Sequence, residues 1–231
     1  MSRNSSRKKQ LRKAVVYGLG LPAWIFLGFM LAQALVFAIL WVPDHFNLFA
    51  GVNSAVLDTV FAAIVYSLAV SLVIGVPWIV KQRKTTLEEL GLQRLTDFLD
   101  LLWAPAGYIV YAVVSAITLW GVSTVLPFID LTQQQDVGFA GITQGFEYTL
   151  AFLSLVVIAP VAEEILFRGY LFGKLRKRFS LWISILITSL LFAIVHFAWN
   201  VGFDVFVLSI VLCLLRVMTG SLWASDRKSV V

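Results

Sequence analysis

Phe146-Glu147-Tyr148-Thr149-Leu150-Ala151-Phe152-Leu153-Ser154-Leu155-Val156-Val157-Ile158-Ala159-Pro160-Val161-Ala162-Glu163-Glu164-Ile165-Leu166-Phe167-Arg168-Gly169-Tyr170 is the stretch on which the fold turns. From Phe146 to Val161 it has the composition of a lipid-spanning helix. Two adjacent glutamates then follow without leaving the apolar run. An ionisable side chain at the centre of a bilayer costs about 2.5–3.5 kcal/mol or more to insert. A chain that keeps two side by side uses them. One segment on, Phe192-Ala193-Ile194-Val195-His196 sets a lone histidine in another apolar run. Carboxylate and imidazole inside a membrane are the chemistry on offer.

The rest of the chain agrees with that setting. Of 231 residues, 60% are hydrophobic and only 13% charged, and the mean hydropathy is +0.89. A soluble domain carries about 25% charged residues. The composition therefore predicts an all-α, polytopic transmembrane helix bundle, one compact body with the lipid bilayer as its partner. The net charge of +5 does not point to nucleic acid, because the basic residues sort by membrane side. The single cysteine, Cys213, excludes an internal disulfide and a cysteine-based metal cluster, and reads as a small packing residue in a helix.

Six apolar runs approach the roughly 20 residues that a spanning helix needs. They fall at about 15–42, 56–80, 102–126, 146–173, 181–199 and 203–218. The break at 200–204 is short, so the last two form an antiparallel pair. Arg3, Arg7, Lys8, Lys9, Arg12 and Lys13 precede the first run, and Lys81, Arg83, Lys84 and Arg94 follow the second. Arg168, Lys174, Arg176, Lys177 and Arg178 lie at the end of the fourth, and Arg216 ends the sixth. The breaks at 43–55, 127–145 and 200–204 hold no Lys or Arg. Alternate sides are basic, which predicts a cytoplasmic N-terminus. Trp41 and Trp199 would mark outer ends, and Trp78, Trp103 and Trp182 inner ends, as an aromatic belt does. The first apolar run is too long for a cleaved signal peptide and reads as an uncleaved anchor. Thr85-Thr86-Leu87-Glu88-Glu89-Leu90-Gly91-Leu92 has the pattern of a short amphipathic helix capped by Thr85 or Thr86, with a solvated connector as the alternative.

Glu164 and Arg168 stand four apart with the acid first, so an intrahelical pair is expected. In an α-helix Glu163 is rotated about 100° from Glu164. Glu164 would then be anchored by Arg168, leaving Glu163 to face a cavity. Glu164–Arg168 could equally be a structural pair near the interface. Phe192 and His196 are also four apart. With continuous α-helices, Glu163 and His196 each lie about 22 Å from the inner helix ends, at one level. Pro160 lacks a backbone donor and should kink the helix just before the acids. The chemistry permitted is general-base activation of water: the carboxylate takes a proton while the imidazole holds the water or carries the proton onward. Two acids and one histidine are an incomplete metal set, and no His-Glu-x-x-His occurs, so no metal and no cofactor are expected.

These motifs resemble the CPBP family, which includes type II CAAX prenyl endopeptidases and the bacteriocin-processing or immunity proteins also called the Abi family. The resemblance rests on Glu163-Glu164-x-x-x-Arg168 followed by Phe192-x-x-x-His196 on consecutive helices. Gly169-Tyr170-Leu171-Phe172-Gly173, the basic run Lys174-Leu175-Arg176-Lys177-Arg178 and Thr219-Gly220-Ser221-Leu222-Trp223-Ala224-Ser225 add to it. It covers about Leu150 to Ser225. It implies an intramembrane glutamic protease, with Glu163 as the catalytic glutamate and His196 as the histidine that helps activate the water. Glu164 and Arg168 would support them, with Phe192 beside. The implied substrate is a peptide or protein, either prenylated or a bacteriocin precursor. The implied location is the bacterial plasma membrane.

The family carries a further histidine, with an asparagine four residues on, in a later helix; these help stabilise the oxyanion. Here Asp226-Arg227-Lys228-Ser229-Val230-Val231 follows Ser225 instead, and reads as a non-native, adapter-derived tail, with a short cytoplasmic tail as the alternative. The expected organisation is 1–100 for the basic segment, two spanning helices and connector, 101–225 for the third helix and catalytic core, and 226–231 for the tail. Two other functions fit the same residues. One is a non-catalytic immunity or partner-binding protein. The other is a proton-coupled transporter relaying through Glu163 and His196; the lack of an evident inverted repeat ranks it last.

Overall fold

Long apolar runs without water must satisfy their backbone internally, so they become helices. The computed structural model describes residues 2–46, 48–82, 84–93, 98–131, 142, 145–196, 199–219 and 222; of 2–14, 44, 98–101, 199 and 200 it describes the backbone alone. The chain is an all-α, polytopic integral membrane protein, with no strand among the described residues. In order, the helices are α1 (Ser2–His45), α2 (Ser54–Lys81), α3 (Leu87–Leu90) and α4 (Phe98–Val125), then a composite rod, α8 (Leu181–Ile194) and α9 (Trp199–Thr219). The rod comprises α5 (Gly145–Phe152), π1 (Leu153–Ile158), α6 (Ala159–Glu163), π2 (Glu164–Phe172) and α7 (Gly173–Arg176).

Among the described residues, five helices are long and apolar enough to span a bilayer: Val15–Pro43, Ser54–Lys81, Leu102–Val125, Gly145–Arg176 and Val201–Thr219. The fifth apolar run forms the shorter apolar helix α8. α8 has 14 residues, or about 21 Å, short of the ~30 Å hydrocarbon core. The chain turns at Val195 and His196, and α9 already begins at Trp199. The break expected at 200–204 is therefore the first turn of α9, not a loop. Trp41, Trp78, Trp103 and Trp182 are exposed near helix ends, where amphipathic rings meet headgroups.

The described chain divides into two units. One takes Met1–Ala23, Thr85–Gln133 and Phe167–Val231; the other takes Trp24–Lys84 and Gln134–Leu166. In the first, α8 and α9 pack closely, and α9 also packs on α4. Ser184, Thr188 and Ser189 of α8 and Ser209 and Cys213 of α9 are all fully buried. Small side chains let helix backbones approach, which is what drives association in lipid. Cys213 packs with Phe172 and Ile185, as a small apolar residue would. Within α9, Asp204 accepts hydrogen bonds from Tyr111 Oη at 2.6 Å and from Ser115 Oγ, both on α4. The carboxylate is thus satisfied by side chains of a neighbouring helix.

α3 belongs to the same unit. Thr86 is its N-cap, accepting from the Glu89 N–H at 3.1 Å, and Gly91 ends it in the left-handed region at φ 75°. The amphipathic helix allowed by the sequence therefore forms, and Thr86 rather than Thr85 caps it. Its C-terminal carbonyls lie against two glycines: a Cβ on Gly169 would meet the Leu90 carbonyl at 3.0 Å, and one on Gly173 the Glu89 carbonyl at 3.1 Å. Glu89 forms ion pairs with Lys177 and, at 3.9 Å, with Lys174. The Lys177 hydrogen bond, opposed by partial burial and helped by both lysine charges, holds the Glu89 carboxyl below the usual carboxylate range. The Arg216 guanidinium occupies the space a Cβ on Gly91 would need. Gly91→Ala combines that overlap with a left-handed backbone costing about 1–2 kcal/mol for an L-residue. Thermal unfolding in detergent should show a loss of at least that size. An unchanged midpoint would mean α3 does not contribute to stability.

The second unit is built on α2. Asn53 caps it by accepting from the Ala55 N–H at 3.0 Å, and the body of α2 packs against α5, π1 and α6. Trp24 Nε1 donates to the Val73 carbonyl at 3.0 Å, tying α1 to α2. Asn53 Nδ2 also donates to the buried Glu147 carboxylate at 3.3 Å.

Candidate active site

The acids sit where the rod changes its hydrogen-bond register. Pro160 has no N–H to give the Val156 carbonyl. Just before it, the Ala159 N–H reaches back five residues to the Ser154 carbonyl. The turn before Pro160 is thus π-helical. α6 lasts five residues and ends at Glu163; Glu164 opens the nine-residue π2. Insertions of π-helix into α-helices concentrate at functional sites.

The counted depths are corrected too. The rod ends at Arg176, not Arg178, and π2 rises less per residue than an α-helix. His196 lies past the end of α8, in the turn. The equal counts from the two helix ends therefore no longer apply.

In the second unit Glu163 is half-buried. Its Oε1 accepts a hydrogen bond of 2.7 Å from Tyr66 Oη on α2, 97 positions away in sequence. The Tyr66 ring stands edge-on to Phe29 at 5.4 Å between centroids. Tyr66 was not singled out by the sequence. The available signal was a phenol in the middle of an apolar span, where a buried hydroxyl needs a partner.

In the first unit Phe192 is the hub. It is 3% exposed. The Arg168 guanidinium lies 4.2 Å from its ring centroid, in cation–π geometry. Phe167 and His196 each meet it at 4.9 Å, ring to ring. Arg168 itself is fully buried. The structure thus gathers Arg168, Phe192 and His196. His196 Nδ1 lies 2.6 Å from the Phe192 carbonyl, capping the end of α8. A carbonyl only accepts, so Nδ1 is the donor in this contact. Glu164 is half-buried and opens π2. Among the described residues, no three of His, Cys, Asp and Glu gather to hold a metal ion.

Comparison with known proteins agrees with the motifs. Residues 145–225 match the family model for type II CAAX prenyl endopeptidase, Rce1-like, in line with the CPBP resemblance. That family is a protease family. The matched segment contains Glu163, Glu164, Arg168, Phe192 and His196. An uncharacterized 24.3 kDa protein of Escherichia coli is 32% identical over 78 residues, covering 32% of this chain and 36% of that protein. The match therefore spans about a third of the curated relative. No solved structure matches.

Proposed function

We propose that this chain is an intramembrane endopeptidase that hydrolyses a peptide bond with water activated by Glu163. Glu163 is the general base, and His196 orients the water or takes the proton onward. Arg168 and Glu164 support the base, and Phe192 seats Arg168 and His196. The substrate is a peptide with an apolar, CAAX-type or bacteriocin-precursor end, cut at the membrane. The N-terminus faces the cytoplasm, on the distribution of Lys and Arg. The observation that carries the reading is the match over 145–225, which holds every proposed site residue.

The chemistry is tested with the purified chain in liposomes and a synthetic peptide ending in a farnesylated cysteine and three further residues. Cleavage in water enriched in heavy oxygen should yield two fragments, with one heavy oxygen in the newly formed carboxylate. General-base hydrolysis puts it there directly, without an acyl-enzyme. A burst of one fragment before the other is released would instead indicate a covalent intermediate and sink the glutamate–water mechanism.

A further inference from the structure

The hydroxyls of α2 divide into two kinds. Ser67 Oγ and Ser71 Oγ donate back to carbonyls of their own helix, at Ala63 and Ser67, with distances of 2.8 and 2.9 Å. They satisfy themselves locally, as hydroxyls in lipid-spanning helices do. Tyr66, beside them, does not. Its hydroxyl leaves α2 and ends on Glu163 Oε1. Its ring is braced by the edge of Phe29 on α1. A residue of α1 thus braces the ring of a residue of α2 whose hydroxyl reaches one carboxylate oxygen on α6.

We infer that Tyr66 is a positioning residue for Glu163, fixing which oxygen of the carboxylate acts as base; this rests on Glu163 being that base. The argument is geometric. A glutamate has three side-chain torsions and two equivalent oxygens, and its rotamer freedom must be removed before it can hold a water. The phenol O–H donates to Oε1 and occupies one of its lone pairs. Oε2 is left as the oxygen that takes the proton. The brace at Phe29 gives the phenol itself a fixed place, so the restraint passes from α1 through α2 to the acid. Glu163 needs such a restraint, because it is the last residue of a five-residue α segment between two π-helical stretches. Backbone register alone holds it less firmly than an uninterrupted helix would.

A reacting group displaced by about 1 Å loses on the order of 10²-fold in rate. Tyr66→Phe removes only the hydroxyl and keeps the ring against Phe29. Its kcat on the farnesylated peptide should fall about ten- to a hundredfold, with KM and melting midpoint unchanged. A merely structural role for the hydrogen bond would move the midpoint and spare kcat. Tyr66→Phe is then added to Glu163→Gln. Because Tyr66 acts through the carboxylate, it should lower the residual rate no further. An equal loss in both backgrounds overturns the inference.

The two readings fail separately. If Glu163→Gln still cleaves, the general-base reading falls and the positioning role with it. If Glu163→Gln is dead while Tyr66→Phe cleaves at the wild-type rate, only the positioning role falls. Infrared difference spectroscopy provides a readout free of turnover. The carboxyl band lost in Glu163→Gln should shift in Tyr66→Phe, and an unshifted band overturns the inference.

Discussion

Glu163→Gln is expected to abolish peptide cleavage, with a fall in kcat of about 10²–10⁴ or more, the range general acid–base catalysis supplies. The change replaces one oxygen by an amide nitrogen of nearly equal size. The amide oxygen still accepts from Tyr66 Oη, so the contact at 2.7 Å has a ready substitute. What is lost is basicity, since an amide does not take a proton from water. The variant should insert, accumulate and melt as the parent does. Initial rates on the farnesylated peptide, read beside a melting curve, check both halves. Full cleavage by a folded Glu163→Gln would end the protease assignment of this residue. If instead neither chain cleaves and cells stay protected against a bacteriocin even with Glu163→Ala and His196→Ala together, the scaffold works by binding, as an immunity protein would.

Much of this architecture is written in the amino-acid order. Lipid admits only helices, so apolar length alone locates Val15–Pro43, Ser54–Lys81, Leu102–Val125 and Gly145–Arg176. The buried acids and Arg168 stand out because charge is costly there. What composition hides is where a helix stops. The apolar run from Leu181 continues through Val195 and His196, yet α8 ends at Ile194. The His196 side chain takes the Phe192 carbonyl, and the backbone N–H of His196 reaches only Ala193. Asp204 was equally misleading: an acid near a helix boundary reads as loop, but Tyr111 and Ser115 supply its partners from α4.

The π-helical stretches were hidden for a different reason. Hydrophobic pattern reports a face, and a widened turn keeps nearly the same face over one or two turns. Pro160 signalled a disturbance without saying which kind. Tyr66 marks the limit most clearly. Its partner is 97 positions away, and no local pattern in α2 names it. The motif supplies the acid, while the group that restrains the acid comes from a helix outside the matched segment.

Arg168→Met is expected to be the most destabilising single change in the matched segment. Arg168 is 0% exposed, the largest of the fully buried side chains, and lies over the Phe192 ring. Methionine keeps the apolar stem but removes the charge. The cation–π contact goes, and any carboxylate that balanced the guanidinium is left uncompensated. Breaking a buried pair by removing one partner costs about 3–5 kcal/mol. Glu164, four residues before it, is the proposed partner, since residues four apart remain neighbours even in a widened turn. The double variant Arg168→Met with Glu164→Gln should then recover most of the loss, because removing both charges also removes the desolvation cost of each. Arg168→Lys should fall between, keeping the charge without the planar face that stacks on Phe192. Equilibrium unfolding in mixed micelles, followed by circular dichroism, gives all four stabilities. A single variant as stable as the parent would show that the buried guanidinium is not structural. A double variant no more stable than the single would assign the balancing charge to a group other than Glu164.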